Sequence, residues 1–372
     1  MADGATRNDE AVDRLRLIRS ANIGPVTYRQ LLARFGSARA ALDALPDLAA
    51  RGGGRAPRLA RLADIEREMA QVRAAGARYL FLGERNYPAA LAQIDNAPPA
   101  LTLRGDTGLL ARPMIAMVGA RNASAAACRF ARELAGALAA TGTVVVSGLA
   151  RGIDTAAHVG AIGGSDGTGG TIGVIASGID IAYPPDNADL QERIANEQLL
   201  LAEQPPRTEP LARHFPFRNR IIAGLAAGTV VIEAAPRSGS LITARLAGEF
   251  GREVMAVPGS PLDPRAQGCN ALIRDGATLV QSADDVMESI GPIDPRAARS
   301  PSDAYGEEPV SPDASDADRG AITGLLSPTP VAVDELIRQS GRAPATVQTV
   351  LLELELAGRL ERHAGGRVSL SA

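Results

Sequence analysis

Short β-branched runs alternating with amphipathic stretches fill the middle of the chain. The runs Ile115 to Val118, Val144 to Ser147, Ile172 to Ala176, Leu199 to Ala202, Val230 to Glu233 and Val254 to Val257 each lead through a small or polar turn into a helical pattern. Strand, helix, strand in repetition predicts a parallel sheet with right-handed crossovers and helices on both faces, an extended Rossmann-like α/β domain over about 76–292. Upstream, Leu15, Leu17, Ile18, Leu31, Leu32 and Phe35 recur at near-helical spacing between Gly and Pro breaks, which predicts a helical domain over 1–75. Residues 293–316 are dense in Pro, Ser, Asp and Glu, with few apolar groups to offset ordering entropy, and read as a linker. The last segment, 317–372, predicts helices at Ala321 to Leu326, Val333 to Gln339 and Ala345 to Ala357. A ribbon from Arg359 to Leu370 around Gly365-Gly366 completes the winged-helix order.

Two terminal features bear on nucleic acid. Ile23-Gly24-Pro25 fits either a plain helix connection or the turn of a helix-hairpin-helix (SAM-like) domain that offers backbone N–H groups to phosphate. The candidate recognition helix from Pro344 to Ala357 carries Glu353 and Glu355 and no cation, so it weighs toward protein contact or packing. Arg359, Arg362 and Arg367 of the wing keep DNA contact open.

Composition then removes several chemistries. The 372 residues are 45% hydrophobic and 22% charged with net charge −3, so a polyanion site must be a local patch. No lysine occurs, which excludes a Walker loop, a Schiff base and a lysine nucleophile; every side-chain cation except His is Arg. Cys128 and Cys269 stand apart without a His cluster, as two buried thiols and not a zinc site. Polar Met1 to Glu10 and the absence of a membrane-length run lead us to expect a cytoplasmic protein.

Candidate chemistry gathers at the carboxyl rim of the predicted sheet, where Rossmann-like folds bind ligands. Gly119-Ala120-Arg121-Asn122-Ala123-Ser124 follows the first strand, with Ser124 placed to cap a helix. Ser147-Gly148-Leu149-Ala150-Arg151-Gly152-Ile153-Asp154 follows the second, Asp154 serving either as N-cap of the helix that holds His158 or as a catalytic carboxylate. Tyr183-Pro184 lies beyond the third. Phe215-Pro216-Phe217-Arg218-Asn219-Arg220 and Arg237-Ser238-Gly239-Ser240 complete an anion-binding set of guanidinium forks and a small-residue turn. Five arginines, Arg121, Arg151, Arg218, Arg220 and Arg237, thus meet at one rim, although the pair at 218 and 220 has Glu203 and Glu233 as alternative partners. Phe215 and Phe217 are either base-stacking rings or core anchors. The run Gly163 to Gly170 precedes a strand and reads as a surface insertion. No full G-x-G-x-x-G stands at a strand-to-helix turn, and no cofactor or metal is expected.

These loops, together with Glu233-Ala234, Leu241-Ile242-Thr243, Pro258-Gly259 and Gly268-Cys269-Asn270, resemble the bacterial DNA-processing protein A (DprA, or Smf) family, densely over about 80–290. The resemblance implies a dimeric protein that binds single-stranded DNA and helps load RecA recombinase during natural transformation. It places Arg121, Arg218, Asn219, Arg220 and the Ser238 to Ser240 loop in the DNA pocket. It also brings Asn270 into the motif set. Pocket lysines of some relatives are absent, and the Gly163 to Gly170 loop is longer than the pattern. The rival from another class is a nucleotide phosphoribohydrolase with Glu233 as acid and the Ser238 loop as phosphate cradle. Against it stands the missing Gly-Gly-x-Gly-Thr turn.

Overall fold

The computed structural model describes residues 2–55, 57–164, 167–291, 313–363 and 365–371, with side chains from residue 9 onward. It divides into two units, Met1–Arg67 with Tyr305–Ala372, and Glu68–Ala304. The linker expected at 293–316 lies outside the described residues as far as 312.

The chain opens with α1 (Ala2–Arg19), α2 (Pro25–Phe35), α3 (Ala38–Arg51) and α4 (Leu62–Ala74). Pro25 begins α2 where its missing N–H costs nothing, and the Ser37 side chain caps α3. The central unit then runs β1 (Arg78–Phe81), α5 (Ala89–Ala92), β2 (Ala100–Gly105), β3 (Met114–Gly119), α6 (Ala125–Ala140), β4 (Val144–Ser147), α7 (Ile153–Gly164) and β5 (Gly170–Gly178). It continues with α8 (Ala188–Glu197), β6 (Leu199–Gln204), α9 (His214–Leu225), β7 (Gly228–Ile232), α10 (Gly239–Glu249), β8 (Glu253–Ala256), α11 (Gln267–Arg274), β9 (Thr278–Leu279) and α12 (Ala283–Ile290).

Nine strands form one sheet in the order β1-β2-β6-β5-β4-β3-β7-β8-β9. The six expected strands are present and parallel, extended by antiparallel β2 and β1 at one edge and by two-residue β9 at the other. Strand side chains alternate between two cores: Ala116 and Val118 pack with Ile221 and Ile222 of α9, Ile115 and Met117 with Leu134 and Leu138 of α6. The chain turns outward in both directions from β3 and β7, so their ends mark the topological switch point.

The Gly163 to Gly170 stretch is a correction in part. A Cβ on Gly160 would lie 2.1 Å from Arg132 O and one on Gly164 2.3 Å from Gly136 O, so these glycines let α7 pack backbone to backbone against α6. Gly170 already belongs to β5; residues 165 and 166 lie outside the described set.

The last segment gives α13 (Asp316–Gly324), β10 (Val331–Ala332), α14 (Val333–Ser340), α15 (Pro344–Leu356), β11 (Leu360–His363) and β12 (Arg367–Leu370). Val350, Leu351 and Leu354 of α15 face the winged-helix core, while Leu352 and Leu356 enter a core with Leu17, Tyr28, Leu31 and Leu45 of the first helices. Cβ atoms on Gly52 and Gly54 would lie 2.1 Å from Glu353 O and 2.5 Å from Ala357 O. Polar ties surround this contact: Asp313 takes Arg34 at 2.6 Å and Arg51 at 2.5 Å, Gln30 donates to Gln348 at 2.9 Å, and Asn22 of the hairpin reaches Leu356 O at 3.4 Å. Glu353 is fully buried and accepts both arms of Arg319 at 2.8 and 2.9 Å. Among the wing arginines, Arg359 donates to Gly52 O and Arg362 pairs with Glu355. The candidate recognition helix is therefore enclosed beyond its first turn. Gly52→Ala is expected to cost about 1–3 kcal/mol by overpacking; an unchanged denaturation midpoint would show that the two segments do not need so close an approach.

Candidate nucleic-acid interface

A cavity of about 240 Å³ opens at the carboxyl ends of β3, β4 and β5. Arg121 and Asn122 follow β3; Gly148, Ala150 and Arg151 follow β4; Tyr183 and Pro184 lie beyond β5, and Phe215 and Arg218 come from the start of α9. The wall after β4 is tightly built. Leu149 adopts the left-handed conformation at φ 58°, and the N–H groups of Gly148 and Ala150 on either side donate to Asp154 Oδ2 at 3.1 and 3.3 Å. A Cβ on Gly148 would lie 1.6 Å from Arg218 Nη1, so the guanidinium rests directly on the bare backbone. Asp154 is thus not the N-cap expected: it sits inside the first turn of α7 and reaches back to the loop.

The Arg218 side chain is 8% exposed. Its Nη1 stands 3.9 Å from Asp154 Oδ2, attracted but too far for a hydrogen bond, and its buried Nε has no hydrogen-bond partner among the described residues. Burial pushes the Arg218 pKa down, with Asp154 opposing, and pushes that of Asp154 up, with Arg218 and the two N–H groups opposing. A guanidinium remains charged through such a shift. Arg121 and Arg218 both lie over the Phe215 ring, at 5.4 and 5.7 Å from its centroid, and Tyr183 meets that ring edge-on at 5.9 Å. Phe215 thereby holds two like charges close together through its π face. Behind them, buried His158 shares a 2.7 Å hydrogen bond with Thr171, whose hydroxyl donates to Val145 O, so Nδ1 is the donor. Burial, then Arg218, lowers the His158 pKa to about 3 and keeps the ring neutral.

The description of the DNA recombination-mediator protein A family matches residues 78–291, spanning the whole sheet and every loop of the cavity. The chain belongs to this family. A DprA-like N-terminal HHH domain matches 8–71 and a DprA winged helix domain 306–366. The DNA processing protein DprA of Streptococcus pneumoniae is 47% identical over 201 residues, covering 54% of this chain and 70% of that one. A solved structure of DNA processing protein A from that organism aligns with TM-score 0.57 and 43% identity over 61% of this chain and 77% of its own. The Helicobacter pylori protein, described for its single-stranded DNA binding mode, aligns with TM-score 0.52 and 28% identity over 58% and 97%.

Of the residues that the resemblance to DprA or the loop reading singled out, the structure brings Arg121, Arg151, Phe215 and Arg218 together. Arg220 is turned away. It donates to Glu203 at 2.8 and 2.6 Å, to Asn96 O at 2.9 Å and to Phe217 O at 2.7 Å, a structural clamp. Phe217 lies outside the cavity, 49% exposed, with Arg220 5.5 Å from its centroid. Ser124 caps α6 and donates its N–H and hydroxyl to the two oxygens of Glu233 at 2.8 and 2.6 Å. Ser238 caps α10 and bonds Ser240 at 2.7 Å; neither they nor Gly239 nor exposed Arg237 lines the cavity. Asn219 is buried on α9, next in sequence to Arg218. Asn270 uses both ends of its amide on the Gly259 backbone. Sequence reasoning passed over Asn122 as a wall residue and Asp154 as a partner of Arg218; no local signal joins positions 154 and 218. Cys269 is buried, its thiol pushed up to about 11, whereas Cys128 is only partly buried.

Three variants separate these roles in the DprA fold. Arg220→Ala leaves Glu203 without its cation and is expected to lower stability by about 3–5 kcal/mol. Arg121→Ala is expected to stay within about 0.5 kcal/mol; equal losses in urea denaturation would contradict this division of roles. His158 binds its proton near 6.5 when unfolded and near 3 when folded, so its contribution is complete above pH 6.5 and declines as pH falls toward 3. Between those limits His158→Asn should flatten stability against pH by up to about 1.4 kcal/mol per unit relative to the parent. Parallel profiles would place the ring in contact with water.

Proposed function

We propose that the protein binds single-stranded DNA in this cavity and along the adjoining rim, and helps load RecA recombinase onto strands entering during natural transformation. It works in the cytoplasm as a homodimer and breaks no covalent bond. The observation that carries the reading is the buried Arg218 guanidinium, whose Nε has no hydrogen-bond partner among the described residues and which stands beside Arg121 over one aromatic ring. A desolvated cation with open donors is costly to hold unless an anion completes it. The opening in which it lies is about 240 Å³, and we assign it to one backbone phosphate and its sugar. Because Phe215 is flanked by guanidiniums, half-exposed Phe217 is the better platform for a base, worth about 1–3 kcal/mol per stacked base. Dimerisation joins two weak tracks into a stronger one. The H. pylori relative's single-strand binding supports the same assignment. A phosphoribohydrolase is less well supported, since both oxygens of its required acid, Glu233, are engaged by Ser124.

Polarisation of a labelled single strand and of a duplex, measured over a salt series, tests this. The single strand should bind more tightly, and Arg121→Ala or Arg218→Ala should reduce the log–log salt slope by about 0.7 per lost phosphate contact. Preference for duplex, or an unaltered slope in both variants, would refute the assignment.

A further inference from the structure

We propose that Asp154 sets the charge of what the cavity accepts, admitting an internal phosphodiester of a strand in preference to a terminal phosphomonoester. The inference rests on the single-strand reading and gives a buried carboxylate a role in specificity.

At a glycine-containing strand-to-helix turn, free backbone N–H groups and the helix N-terminus ordinarily form a cradle for a phosphate. Here the cradle is filled from within. Asp154 Oδ2 takes the N–H groups of Gly148 and Ala150 at 3.1 and 3.3 Å. The side chain is 6% exposed, and among the described residues its polar contacts are two N–H donors and the Arg218 cation, all of which favour the charged form against burial. The carboxylate therefore occupies the place where an incoming dianion would gain most.

The remaining charges leave room for one negative charge. Arg218 is balanced by Asp154 at 3.9 Å, and Arg151 at the rim is paired with Asp186 at 3.0 Å. His158 is neutral. Arg121, exposed over Phe215, is the surplus cation among the charged side chains of the wall. A phosphodiester carries one negative charge, whereas a monoester carries about 1.5 to 2 at neutral pH. An oxygen accepting from Arg218 at the usual ~2.9 Å lies within about 5–7 Å of Asp154, where a second negative charge is repelled with little screening by water.

Competition against a labelled thymidine 20-mer on the full chain, at fixed ionic strength, tests the idea with thymidine 5′-phosphate and its methyl ester. These share base and sugar and differ in charge. The methyl ester should compete about tenfold better on the parent protein, the scale expected of one like-charge contact at this range. Asp154→Asn retains an oxygen for the two N–H groups while removing the charge, and should bring the ratio to unity or invert it. A parent that favours the monoester, or an Asp154→Asn variant with the parent's ratio, would overturn the proposal. Should that variant fail to fold, Asp154→Glu, which keeps the charge, should retain the parent's preference, and a parent ratio at or below unity still overturns the proposal. Failure of the labelled strand itself to bind is a separate result and would refute the single-strand reading.

Discussion

A guanidinium buried without enough acceptors is the constraint on which the central unit's rim depends. Placing Arg218 against the sheet end requires a bare backbone at Gly148, where any Cβ would collide with it. It requires a counter-charge, supplied by Asp154, and a loop conformation that lets two amides hold that carboxylate, which puts Leu149 in the left-handed region. It also draws Phe215 beneath two cations. Each feature is costly alone and coherent together, the pattern expected where function and not stability sets the local geometry.

Arg220 makes the contrast plain. Two positions along the same helix, it is equally buried, but it meets a carboxylate and two backbone carbonyls. Hydrogen-bond satisfaction, not burial or charge, separates Arg220, which clamps the fold, from Arg218, whose Nε has no hydrogen-bond partner among the described residues.

That distinction was not legible in the sequence. Arg218-Asn219-Arg220 is symmetric as written, and its partners Asp154 and Glu203 come from distant segments. The parallel strands were legible because runs such as Val144-Val145-Val146 are buried on both faces and need no alternation. Strands β1 and β2 were missed because Arg78 to Phe81 is a short edge with its first residue exposed, and β2 starts directly after Pro98-Pro99, a pair that gives no strand signal. The rim loops were readable as a set and carried the family. Within that set, Ser124, Ser238 and Asn270 proved to be caps and pins, since short polar side chains satisfy nearby backbone as readily as they meet a ligand.

The shared core of the first helices and α15 has a kinetic corollary. Asn22 and Leu356 are separated by 334 positions, and Leu17 and Tyr28 share one apolar cluster with Leu352 and Leu356. During synthesis at about 5–20 residues per second, the early helices emerge tens of seconds before the segment that covers them. Throughout that interval the nascent chain presents an unfinished greasy face to the ribosome exit and its attendant chaperones, while the intervening sheet assembles without waiting for it.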